Sequence, residues 1–297
     1  MLKIILALLA IMTTMYVVTY AKDFMKHKEG QNKKTIKKGL LVGFVTDFFD
    51  AIGVGSFATT TAYFKMDKSI EIPDRVIPGT LNVAHALPMI VQAFMSLTVI
   101  EVDTMTLVSM IISAVIGSFI GAGIISKLPE KVVQLTMGVA LLATAVLIIL
   151  GQLNLMPSGG NAMALENTKL ILGIVGNFIL GALMTVGIGL YAPCMAMVAL
   201  LGMNPQAAFP IMMGACAFIG PIASYKFIKE GAYKRDISVG ITLGGVVGSM
   251  VALLFVTNIP TYWLKWIVAG VVVYTGATML KQGMNKKNKE LSPENIA

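Results

Sequence analysis

Charge is what this sequence of 297 residues lacks most: Asp, Glu, Lys and Arg make up 13% of it, against 56% apolar residues. A water-soluble globule of this length needs more charged surface than that, so lipid is the expected solvent. Cysteine is nearly absent as well. Cys194 and Cys216 stand in apolar runs without the paired spacing of a zinc or redox motif, which makes them packed thiols, and Cys194, following Pro193 at an expected helix break, is the nearer of the two to a ligand. Only two histidines are present, His27 and His85. That leaves no ligand set for a metal, and neither metal nor cofactor is expected.

What is present in excess is hydrophobic length. Apolar segments run near 2–20, 39–63, 79–100, 104–126, 132–152, 169–201, 207–229, 236–257 and 262–280, most of them long enough for a hydrocarbon core about 30 Å thick. All should be helical, because an open strand cannot satisfy its backbone in lipid. The net charge of +8 does not point to nucleic acid. Its lysines gather in short clusters between apolar segments, as the positive-inside rule requires. The same rule argues against a cleaved signal peptide at the amino terminus, since cleavage after Ala21 would send Lys22, Lys26, Lys28, Lys33, Lys34, Lys37 and Lys38 across the membrane.

Lysine and arginine assign the sides. Connections 22–38, 64–76, 127–131 and 226–235 and the tail after Lys281 carry them and should be cytoplasmic; 101–103, 153–168, 202–206 and 258–261 carry none and should be external. Single crossings throughout would contradict that pattern. It is repaired if 39–63 and 169–201, the segments richest in glycine and polar residues, each return to the side they left. The expected fold is therefore an all-α polytopic membrane protein with an inverted-topology repeat, each unit a broken or re-entrant helical hairpin plus three transmembrane helices, with one extra N-terminal helix. Its divisions are 1–38, a first repeat 39–153, an external linker 154–168, a second inverted repeat 169–281 and a basic tail 282–297. The amino terminus is expected outside and the carboxyl terminus in the cytoplasm. Traces of duplication agree: Gly117 and Gly121 answer Gly240, Gly244 and Gly248, Pro78 answers Pro210, and Pro129 with Gly138 answers Pro260 with Gly270. The spaced glycines read as helix packing rather than as a site.

Polar residues inside the two returning segments are the candidates for chemistry. Asp47 and Asp50 lie three apart, on one helical face. An ionised acid at the bilayer centre costs roughly 2.5–3.5 kcal/mol, so such residues face a cavity or a partner. Proton coupling is one reading; the other has one acid capping a half-helix while its neighbour faces cytoplasmic water. Gly53, Gly55 and Ser56, with Thr46 before them, and Thr185, Gly187, Gly189 and Tyr191 in the second segment mark helix breaks. A half-helix starting at such a break aims free N–H groups and a positive dipole end at a cavity, which suits a small anion without a buried lysine. Thr80, Asn82 and His85 open the next helix. His85, whose ordinary titration range spans neutral pH, is a proton relay, a ligand or an interhelical hydrogen bond. Asn177 and Ser224 are weaker candidates.

At these two segments the chain resembles the TauE/SafE family of membrane permeases. The family's repeated signature, a glycine, then Ser or Thr, a G-x-G-G-G turn and a proline, is echoed by Gly43, Thr46, Gly53 and Gly55, and again by Gly181, Thr185, Gly187, Gly189 and Pro193, while Gly79 and Thr80 match its Gly-Thr opening. The triple glycine is reduced in both copies, and the first lacks the proline while gaining Asp47 and Asp50. The resemblance implies secondary transport of sulfite, a sulfonate or a related sulfur oxyanion, linked to the proton gradient. Substrate-binding residues would be Thr46, Gly53, Gly55, Ser56, Thr80, Asn82, Thr185, Gly187, Gly189 and Tyr191, with Asp47, Asp50 and His85 carrying protons. The partners expected are that anion and the lipid bilayer, with homo-oligomers left open and nucleic acid excluded. An intramembrane enzyme using Asp47, Asp50 and His85, or a non-transporting scaffold subunit, are the rival readings.

Overall fold

The structure is a computed structural model that describes residues 2–28, 31–96, 102–187, 189–255 and 262–285. Within them are α1 (Leu2–Lys26), α2 (Lys33–Ala51), α3 (Ser56–Met66), α4 (Ile77–Ser96), α5 (Thr104–Ile125), α6 (Glu130–Gln152), α7 (Asn167–Met184), α8 (Tyr191–Leu200), α9 (Ala208–Lys229), α10 (Arg235–Phe255) and α11 (Tyr262–Met284), with single 3-10 turns before α4 and α9. Among the described residues the only extended pairing is an isolated bridge between Ala162 and Met203. Seven helices, α4 to α7 and α9 to α11, are long and apolar enough to cross a membrane. Ile116, Phe119, Val139, Trp263 and Ile267 point outward from them, and so do Leu8, Ile11 and Met15 of α1. Such an apolar exterior is stable only against lipid.

Both segments expected to break do so at their glycines. Gly53 and Gly55, between α2 and α3, have φ of 87° and 89°, and Gly187, between α7 and α8, has φ of 115°. These are left-handed conformations that a side chain would strain. The boundaries differ from the hydropathy limits. α2 begins at Lys33 rather than 39, because the Asn32 side chain accepts the N–H groups of Lys34 and Thr35 and starts the helix in the basic stretch. α7, Asn167–Met184, has the length and composition of a membrane span. Its break lies at the far end, so only α8, ten residues and about 15 Å long, is short.

Ties between connections sort the helix ends onto two faces. On one, Arg235 Nε donates to Asp23 at 2.7 Å, Lys38 pairs with Asp67 at 2.9 Å, and Lys127 meets Glu230 at 3.8 Å. Lys65 pairs there with Asp74 and donates to Gln282 at 2.9 Å. On the other face, Asp103 N–H donates to Met163 O, Gly160 N–H to Met203 O and Asn204 N–H to Ala162 O, at 2.8–3.0 Å, while Gln152 donates to Tyr262 O. The described basic connections thus stand together, and so do the bare ones. Both ends of α2–α3 belong to the first group and both ends of α7–α8 to the second. Positions 97–101, 256–261 and 286–297, which include the expected external turn 258–261 and most of the tail, lie outside the described residues. Hydrogen bonds from Ser69 and Tyr63, together with Lys38, hold the Asp67 carboxyl well below the usual carboxylate range and keep it charged.

Helices pack in pairs: α2 on α10, α5 on α7, α4 on α9, α6 on α11, with α4 also against α10, α5 against α9, and α1 across α9 and α4. Glycine permits the closest of these. A Cβ on Gly39 or Gly43 would enter the α10 backbone at Ile237 or Ile241, one on Gly240, Gly244 or Gly248 would strike the α2 backbone, and Gly117 and Gly181 stand in the same relation across α5 and α7. The spaced glycines are packing surfaces, as expected. Gly138 packs on α11, but against Leu280 and Gly276; Gly270, the expected counterpart, faces open space because it lies on the other side of α11.

Candidate functional site

The two breaks converge on one cavity of about 60 Å³ between α2, α4, α7 and α9. Asp50, Gly53, Gly55 and Ser56 line it from the first broken segment, and Met184, Gly189 and Leu190 from the second. The N–H groups of Gly55, Gly189 and Leu190 meet no acceptor among the described residues. Gly55 and Gly189 are half-buried and Leu190 is buried, and a donor left unsatisfied when fully buried costs about 1–3 kcal/mol. They sit where the short helices α3 and α8 begin, so the positive ends of both dipoles add to them.

Among the described residues that line the cavity, Asp50 is the one with a charged side chain. Its carboxylate accepts the N–H of Ser56, the first residue of α3, at 2.8 Å and the side-chain amide of Gln92 at 3.2 Å. Gln92 also donates to the Ser249 hydroxyl at 3.0 Å. Asp50 is in effect a tethered anion seated on a helix N-terminus. It is the acid that caps a half-helix, but its neighbour does not face water. Asp47 is fully buried and pairs with His85, Nδ1 lying 2.9 Å from each carboxylate oxygen, while His85 Nε2 stands 3.1 Å from the Thr60 hydroxyl. Acceptance by the carboxylate requires the proton on Nδ1, so a neutral ring takes the Thr60 O–H on Nε2. Gly245 makes room for this pair, since a Cβ there would collide with the Asp47 carboxylate and with Pro88.

Thr46, Thr80, Asn82, Thr185 and Gly187 are not among the described residues that line the cavity. The hydroxyls of Thr46, Thr80 and Thr185 donate to Val42 O, Val76 O and Ala182 O within their own turns, at 2.6–2.8 Å. The Asn82 amide donates to Pro78 O and across to Thr185 O, with its Oδ1 left unpartnered, so it ties α4 to the second break. Gly187 supplies the turn conformation. Tyr191 opens α8. Asn177 and Ser224 bond the backbone of Met110 and Asn82 and act as interhelical ties. Of the two thiols, Cys216 lines the cavity and Cys194 is buried in packing, the reverse of the order expected. Cys216 shares a helix face with Met212 and Met213, four and three residues earlier. Gln92 and Ser249 were not among the expected site residues; a glutamine in mid-span was the available signal for the first.

A profile of the family described as Sulfite exporter TauE/SafE matches residues 1–148 and 169–296, and the gap between the two stretches falls on the connection joining the two halves of the chain. The chain belongs to the sulfite exporter TauE/SafE family. No curated protein and no solved structure gives a match. Members of the TauE/SafE family are anion-exporter-type membrane transporters and not enzymes. That excludes the acid–base enzyme reading of Asp47, Asp50 and His85, whose arrangement with Thr60 resembles a hydrolytic triad only in outline. In this TauE/SafE chain the triad stands in packed interior, and the cavity belongs to Asp50 instead.

Proposed function

We propose that this chain carries a small sulfur oxyanion, sulfite or a sulfonate, together with a proton across the cytoplasmic membrane, through the cavity where its two broken segments meet. The observation that carries the proposal is the set of unengaged N–H groups at Gly55, Gly189 and Leu190, contributed from both segments to one small cavity. An oxyanion completes their hydrogen bonding, and two helix dipoles offset its charge without a lysine. Ser56 and Gln92 add donors when Asp50 lets them go.

That release is where the proton enters. A carboxylate and a guest anion cannot share a cavity this small without severe repulsion. A proton on Asp50 removes the charge, frees the Ser56 N–H, and exchanges a tethered anion for a mobile one. Anion and proton then move together. The Asp47–His85 pair, one helical turn from Asp50, serves as a second proton station.

Alternating access follows from the symmetry of the packing. Exchanging α2–α6 for α7–α11 turns the pair α2/α10 into α7/α5, α4/α10 into α9/α5, and α3/α11 into α8/α6, while α4/α9 and α6/α11 map onto themselves. This supports an inverted repeat about an axis through the cavity, with the amino terminus outside and the basic connections in the cytoplasm. The test is counterflow of labelled sulfite in proteoliposomes. Wild-type protein is expected to exchange it, and Asp50→Asn to exchange it without responding to a pH gradient; no exchange by the wild type would overturn the reading.

A further inference from the structure

The wall of the cavity is of two kinds. Donors to oxygen come from the breaks and from Gln92. Much of the remainder is sulfur: Met89 of α4, Met184 of α7, and Met212, Met213 and Cys216 of α9. The sequence holds 21 methionines and two cysteines among 297 residues, yet these types supply five of the thirteen described residues that line this cavity. Leu, Ile, Val and Phe, which dominate the rest of the interior, contribute only Leu190 and Phe57. Cys216 Sγ and Met184 Sδ are 3.9 Å apart, so the sulfurs of two helices form a continuous soft patch.

This division bears on which anion fits, and the argument rests on the anion-transport reading above. A cavity of 60 Å³ has room for about four to six water-sized groups, at roughly 10–15 Å³ each. An anion with oxygen at all four corners turns at least one toward thioethers that donate nothing, and an unpaired desolvated oxygen is costly. A terminal sulfur without oxygen needs no donor and makes favourable contacts with polarisable thioethers. We propose that the preferred guest is an oxyanion bearing such a sulfur, the thiosulfate class, held with its oxygens on the amides of the breaks and its outer sulfur among Met184, Met212, Met213 and Cys216.

The test uses the full chain in proteoliposomes, with counterflow of labelled sulfite competed by unlabelled thiosulfate, sulfate or methanesulfonate. Thiosulfate is expected to compete about tenfold more effectively than sulfate, the worth of one unpaired polar contact, and measurably better than methanesulfonate. Met184→Leu and Met213→Leu, which keep the apolar volume, should each lower the ratio of thiosulfate to sulfite affinity, and Cys216→Ala gives a third reading should either fail to fold. Equal competition by thiosulfate and sulfate, or leucine variants that keep the ratio, would overturn the inference. So would methanesulfonate matching thiosulfate, because the wall would then reward apolar bulk alone. Sulfite exchange that is intact without a thiosulfate preference defeats only this inference, whereas absence of any exchange defeats the transport reading along with it.

Discussion

His85 on α4 and Asp47 on α2 meet with Nδ1 2.9 Å from both carboxylate oxygens, and solvent reaches neither side chain. Removing one member of such a pair strands the other in a dry interior, at a cost of roughly 3–5 kcal/mol. His85→Ala and Asp47→Ala should therefore each depress the melting temperature of the detergent-solubilised protein strongly. The double variant should lose much less than the sum, and additive losses would show that the two do not act as a unit.

Gly245 tests the same pair from behind. Gly245→Ala pushes a methyl group into the Asp47 carboxylate and Pro88, whereas Gly270→Ala meets nothing within 4 Å. The first is expected to cost about 1–3 kcal/mol by overpacking and to impair transport. The second should be neutral in both thermal melts and counterflow.

Asp50 separates proton coupling from anion binding. With Asp50→Asn, uptake driven by a pH gradient should fall to the level of empty liposomes while counterflow at equal pH persists, because the amide is permanently neutral and no longer holds the Ser56 N–H as an anion. Gradient-driven uptake equal to the wild type would remove Asp50 from the proton path.

Much of this was legible in the sequence, for reasons that can be named. Span positions follow from apolar length, and the two helix breaks follow from glycines at 53, 55 and 187, because only glycine readily accepts the φ those turns need. Partner choice was not legible. Asp47 and Asp50 share a face and look interchangeable in sequence, yet one pairs with His85 and the other with Ser56 and Gln92, contacts settled by how α4 crosses α2. The threonines misled for a related reason: a hydroxyl in a lipid-bound helix satisfies itself on its own preceding turn, as Thr46, Thr80 and Thr185 do. Nor does spacing reveal which methionines face a cavity when every face of a helix is apolar.

The two faces can be checked by labelling. Ser69→Cys and Asp103→Cys, in a background without Cys194 and Cys216, should react with an impermeant thiol reagent from opposite sides of the membrane. Ser69→Cys and Lys127→Cys should react from the same side. Ser69 and Asp103 labelled together would contradict the returning segments.

The most direct measurement concerns Gly189, which lines the cavity and where an added Cβ meets nothing within 4 Å. Sulfite counterflow should be compared for wild-type protein, Gly189→Ala and Gly189→Leu at equal folded amounts. A graded loss, partial for alanine and complete for leucine with unaltered thermal stability, is the predicted result. Full exchange through Gly189→Leu would contradict a pathway that runs between the two breaks.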